Sequence, residues 1–129
     1  MTLHAVFSRW PRPGAAVWRW LLGLAMLALL VLSLAPLSSS LPSTGWDKGN
    51  HALGFAILGW LGRWSWPGRM VIVLPALLGY GALIELLQSF TPDRLAEYGD
   101  LLADGVGLLL GAGMAVLSER WRSAGRRPG

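Results

Sequence analysis

The sequence predicts an all-α polytopic membrane protein, a small four-helix transmembrane bundle, and three observations predict it. Only 14% of the 129 residues are charged while 53% are hydrophobic, and mean hydropathy is +0.48; soluble domains are about one-quarter charged. Apolar stretches close to the length of a bilayer crossing recur along the chain. Eight tryptophans outnumber three phenylalanines and two tyrosines, and indole rings favour the headgroup level of a membrane. With no cysteine, disulfides, thiolate nucleophiles and thiolate metal sites are excluded.

The expected organisation is an N-terminal segment over 1–16, a membrane domain over 17–117 with spans at 17–35, 48–64, 70–90 and 101–117, and a basic tail over 118–129. The first span, Val17 to Ala35, is almost unbroken Leu, Val, Met and Ala, and at about 1.5 Å per residue it covers the roughly 30 Å hydrocarbon core. Arg19 reaches headgroups by snorkelling, and Pro36 with the Ser- and Pro-rich run behind it ends the helix. A signal peptide is the competing reading, with Arg9, Arg12 and Arg19 as its basic region and Ser33-Leu34-Ala35 as a cleavage pattern.

The second span has a short uncharged centre, Ala52 to Leu61, and recruits Asp47, Lys48, Asn50 and His51 into its outer first turn. A re-entrant element is the alternative. The third carries Pro75, which removes a backbone donor and predicts a bend. The fourth contains Gly105, Gly107, Gly111 and Gly113. Gly107 and Gly111 stand one turn apart, which lets another backbone approach. Packing inside the bundle is the first use of that face; a homo-oligomer through it is the second.

Net charge is +4 and the isoelectric point about 10.7. The arginines gather at the chain ends and in one short loop instead of lining a surface, so no nucleic-acid partner is expected and the lipid bilayer is. Four spans put Arg9, Arg12, Arg19, Arg63, Arg69, Arg120, Arg122, Arg126 and Arg127 on one side, and Lys48 and Arg94 on the other. The positive-inside rule then makes both termini cytoplasmic. Of the acids only Glu119 falls on that side. Asp47, Glu85, Asp93, Glu97, Asp100 and Asp104 fall toward the outer one.

Helical spacing groups these polar residues. Asp47 and His51 are four apart, Glu85 and Gln88 three apart, Asp100 and Asp104 four apart, so each pair shares a face. Glu85 lies about 8 Å inside its span at about 1.5 Å per residue; a carboxylate there must pair, stay neutral or line a wet cavity. Arg94, Lys48 and His51 are its candidate partners. Asp100 suits an N-cap, while Asp104 is deeper than capping needs. His51 either shuttles protons or hydrogen-bonds Asp47. The cluster reads equally as a latch holding four helices or as a ligand pocket. A metal drawn to Asp47, His51, Glu85 and Asp104 is chemically conceivable, but no metal-motif spacing is present and Lys48 and Arg94 compete for the same acids. No metal and no cofactor are therefore expected, and neither a phosphate loop nor a serine elbow appears.

Asp47-Lys48-x-x-His51 with Phe55 and Gly59, Tyr80-Gly81-x-x-Ile84-Glu85-x-x-Gln88-x-Phe90, Arg94, and Asp100-Leu-Leu-Ala-Asp104-x-x-Gly107 together resemble the VanZ-like family of membrane proteins, over about residues 45–113. Members typically have Asn where this chain has Asp104. The resemblance implies a ligand-binding set of Asp47, Lys48, His51, Glu85, Gln88, Arg94, Asp100 and Asp104, with His51, Glu85 and Asp104 as candidate catalytic groups. It implies a bacterial plasma membrane, the inner membrane where there are two, and no particular activity. The leading expectation is an outward pocket for an anionic lipid headgroup or cell-wall precursor, with Lys48 and Arg94 meeting the anion. An acid–base enzyme on such a molecule and a structural or accessory subunit are the alternatives.

Overall fold

The computed structural model describes residues 13–36, 47–92 and 94–126. Arg9, Arg12, Asp93, Arg127 and the polar run over 38–45 lie outside the described residues.

Those residues form four helices and no strand: α1 Ala15–Leu34, α2 Asp47–Ser65, α3 Met70–Gln88 and α4 Tyr98–Ala124. Three of them, α1, α3 and α4, are long and apolar enough to cross a membrane. Four spans are one more than length and apolarity establish. The exception is α2, whose 19 residues match α3 in length but open on Asp47, Lys48, Asn50 and His51 and end near Arg63.

This most polar helix is nevertheless central. It packs against α1, α3 and α4, whereas the α1 and α4 backbones do not come close to each other. Phe55 and Leu58 of α2 meet Leu22, Leu77, Ile84 and Leu108 in the apolar core. The α2–α4 pair is closest because small residues face each other. A Cβ on Gly107 would strike the Ala52 carbonyl, one on Gly111 the Ala56 carbonyl, and one on Gly59 the backbone of Leu108. Both backbones therefore approach as far as peptide atoms permit. The Gly107–Gly111 face is thus filled by α2 within the chain.

Element ends follow local chemistry. α3 stops at Gln88, short of the expected 90, where the Ser89 and Thr91 hydroxyls donate to the Leu86 and Gln88 carbonyls at 2.6 and 2.7 Å and compete with continued helix. Pro75 lies inside α3, so the Val71 carbonyl lacks its helical donor. α4 is longer than expected at both ends. It begins at Tyr98 behind Glu97, which makes no side-chain cap bond, so Asp100 lies in the first turn and is not the N-cap. It runs on to Ala124, taking Arg120 and Arg122 of the expected tail into the helix.

Successive helices run antiparallel, which sorts the ends. At one end Trp18 stacks on Trp64 with ring centres 5.7 Å apart, Arg19 lies over Trp66 and Arg122 over Trp64, and Arg63 pairs with Glu119 at 2.7 Å. The polar residues on which the resemblance rests sit at the other. Side chains reaching to backbone bind α1 to the rest: Arg19 donates to the Ser65 carbonyl at 3.2 Å, the Tyr80 hydroxyl to that of Met26 at 2.6 Å and Gln88 to that of Ser33 at 2.9 Å.

Candidate functional site

At the polar end, the first two turns of α2 and α4 and the last turn of α3 meet around His51. Its ring is buried, with Nδ1 2.8 Å from Asp104 Oδ1 and Nε2 3.7 Å from Glu85 Oε1. With Asp104 ionised, Nδ1–H is the donor, and Nε2 is left facing Glu85. Asp104 is fully buried, and its second oxygen, Oδ2, has no hydrogen-bond partner. Gly81 makes room for that carboxylate, since a Cβ there would meet Asp104 Oδ2 and Phe55. Glu85 accepts the Glu97 backbone N–H on Oε2 at 3.2 Å, while its buried Oε1 is unpartnered. A buried imidazole thus lies between two carboxylates that each keep a free acceptor.

A more exposed tier lies above. Lys48 donates to Glu97 at 2.6 Å and to Asp100 Oδ1 at 3.3 Å. The ammonium beside it holds the Glu97 carboxyl below the usual carboxylate range. Arg94 donates to the Ala35 carbonyl at 3.2 Å and stands 3.6 Å from Asp47 Oδ1. One ligand-type atom from each of Asp47, His51 and Asp100 lies within 4.8 Å of the others.

Several expected pairings are replaced. His51 engages Asp104 across two helices instead of Asp47 on its own. Glu85 faces His51, while Arg94 turns to Asp47 and to the end of α1. Gln88 leaves the cluster and fastens α3 to α1. Glu97, outside the expected set, joins both tiers: its carboxylate holds Lys48 and its amide holds Glu85. Its place in sequence, just ahead of a helix that begins with Tyr98, was the available signal.

His51 and Glu85 are among the polar residues that carry the resemblance, Asp104 stands where members typically have Asn, and a family model described as VanZ/LLP1 matches residues 15–119. This chain belongs to the VanZ/LLP1 family. The match extends the resemblance seen over 45–113 to include α1, which contributes the Met26, Ser33 and Ala35 carbonyls that receive Tyr80, Gln88 and Arg94. No curated protein and no solved structure matches the chain. In this VanZ/LLP1 protein the departure at Asp104 is structurally specific. An Asn there would also reach His51, but only through a neutral amide; the acid adds a charge that an imidazolium or a cation would stabilise.

Proposed function

We propose that this VanZ/LLP1 chain is a four-span protein of the bacterial plasma membrane that binds the anionic headgroup of an envelope amphiphile, a lipid or lipid-linked cell-wall precursor. In this reading α2 is the fourth crossing. Its polar groups face its neighbours, while Leu53 and Ile57 are exposed on its outside, as a helix shielded by three apolar ones requires. The excess of arginine at the tryptophan-rich end makes that end cytoplasmic. The polar end then faces the exterior.

The observation that carries the binding reading is the two-tier arrangement. Lys48 and Arg94 are the basic residues of the polar end, and the Lys48 side chain remains 42% exposed although it contacts two acids. A phosphate arriving at the rim exchanges with the more exposed Glu97 carboxylate and gains Arg94 as a second donor. The buried tier below fixes the three helix ends that carry this rim.

Native mass spectrometry of the protein released from phosphatidylcholine nanodiscs doped with phosphatidylglycerol tests it. Wild type should retain phosphatidylglycerol, and Lys48→Gln/Arg94→Gln should lose it at normal folded yield. Equal retention by that variant, or loss only in Arg120→Gln/Arg122→Gln at the opposite end, refutes the assignment.

A second reading, acid–base catalysis on the same class of molecule, is favoured by the 2.8 Å His51–Asp104 contact, which orients an imidazole as an acid or base needs. It requires that His51→Gln stop turnover of a retained lipid while leaving retention intact.

A further inference from the structure

The polar end gathers five carboxylates around two permanent cations and one imidazole. In the ion pairs found among the described residues Asp47, Glu97 and Asp100 meet Lys48 and Arg94, whereas Glu85 and Asp104 meet only the His51 ring. An excess of carboxylate beside apolar helices is costly, and a divalent ion offsets most of it.

Three features give that ion a position. Ligand atoms of Asp47, His51 and Asp100 already lie within 4.8 Å of one another; tetrahedral ligands at about 2.0–2.2 Å from zinc are roughly 3.3–3.6 Å apart, so closing the set takes about an ångström of side-chain movement. Independently, Glu85 is more than nine-tenths buried, and its unpartnered Oε1 stands 3.7 Å from His51 Nε2, near the spacing of two ligands on one metal; it lies outside the 4.8 Å group, so its side chain must swing toward Asp47 and Asp100 to complete the set. His51 is also oriented for the task. Asp104 accepts from Nδ1 and leaves the lone pair on Nε2, as carboxylates behind metal-bound histidines do.

The cations that hold two of these acids are weakly committed to them. Lys48 is closer to Glu97, at 2.6 Å, than to Asp100, at 3.3 Å. Arg94 makes its hydrogen bond to the Ala35 carbonyl and reaches Asp47 only at 3.6 Å, beyond hydrogen-bond range. Neither cation must leave its better partner for Asp47 and Asp100 to turn inward.

We infer that Asp47, His51, Asp100 and Glu85 form a divalent transition-metal site, with Asp104 as a positioning residue behind His51. One nitrogen with carboxylate oxygens suits Zn²⁺, or Mn²⁺ with added water. This site departs from the sequence-based expectation of no metal, which rested on the absence of motif spacing and on competition from Lys48 and Arg94; here the ligands come from three helices. It also excludes His51 as a general base, because both roles need Nε2.

The test uses full-length protein in detergent, purified without a histidine tag, carrying His4→Ala and stripped with chelator. Calorimetry should find one Zn²⁺ per chain, and Co²⁺ should give visible d–d absorption that Zn²⁺ abolishes. Glu85→Gln and Asp100→Asn should weaken binding about 100-fold or more, and Asp104→Asn about tenfold, in line with losses at residues behind a ligand. Circular dichroism and gel filtration check folding. Should a variant not fold, nitrogen NMR of wild-type His51 decides, with Zn²⁺ expected to shift Nε2. The inference is overturned if wild type takes up no stoichiometric ion, if folded variants bind as tightly as wild type, or if Nε2 does not respond. No anionic lipid is present, so this outcome and that of the headgroup experiment are independent.

Discussion

Glu97 shows how much one exposed residue can join. Its carboxylate bonds Lys48 of α2 and its backbone N–H bonds Glu85 of α3, while it stands at the threshold of α4. Because the Lys48 ammonium lowers its folded-state pKa, this pair contributes stability above the unfolded carboxylate pKa and loses it as pH falls through the lower folded value. Side-chain carbon NMR of wild type should therefore give Glu97 an apparent pKa below an ordinary glutamate, and Lys48→Met should return it to the ordinary value. No change on removing Lys48 would show that the contact is not formed in solution. Sequence reading named His51 among the candidate partners of Glu85, as found, but gave Asp104 no partner. Helical spacing relates only residues on one helix, and it therefore favoured His51 with Asp47. The observed contact, His51 with Asp104, is set by how α2 and α4 are juxtaposed, which spacing does not encode.

At the scale of the element, the glycines of α4 divide by what they face. Gly107 and Gly111 lie against the Ala52 and Ala56 carbonyls, whereas a Cβ on Gly113 would meet nothing within 4 Å. Gly107→Ala and Gly111→Ala should each lower stability by about 1–3 kcal/mol, the usual cost of overpacking, and Gly113→Ala should be neutral or slightly stabilising through helix propensity. Thermal unfolding in one detergent compares them; equal melting temperatures for Gly111→Ala and Gly113→Ala would contradict the α2–α4 interface. The sequence made close backbone approach at Gly107–Gly111 legible because spacing alone produces it. Which backbone approaches was not legible, since Ala52 and Ala56 look unexceptional in an apolar run. The start of α4 was misjudged for a related reason: Tyr98 and Asp100 are polar enough to read as loop, yet Asp100 is 97% buried.

For the whole molecule, the asymmetry between ends is the principal feature. Tryptophans and arginines interleave at one, and carboxylates with His51 occupy the other. The four-span reading predicts that single cysteines introduced at Asp47 and Arg94 react with a membrane-impermeant maleimide in intact cells, and that one at Arg126 reacts only after permeabilisation. Protection of position 47 with labelling of position 126 would invert the topology. The sequence conveyed this asymmetry well, because charge placement along the chain needs no tertiary knowledge. It was least informative about α2, where composition is compatible with a span, a re-entrant element or a surface helix, and where burial comes from neighbours distant in sequence.

The closeness of α2 to α4 also bears on how the chain is made. α2 is the helix least suited to hydrocarbon by composition, yet the residues that cover Ala52 and Ala56 are Gly107 and Gly111, which leave the ribosome long after it. In a four-span chain, α2 would wait beside α1 with a buried face uncovered and His51 without its aspartate. Its settling in the membrane would then be a late, post-translational event, completed only when the last helix arrives.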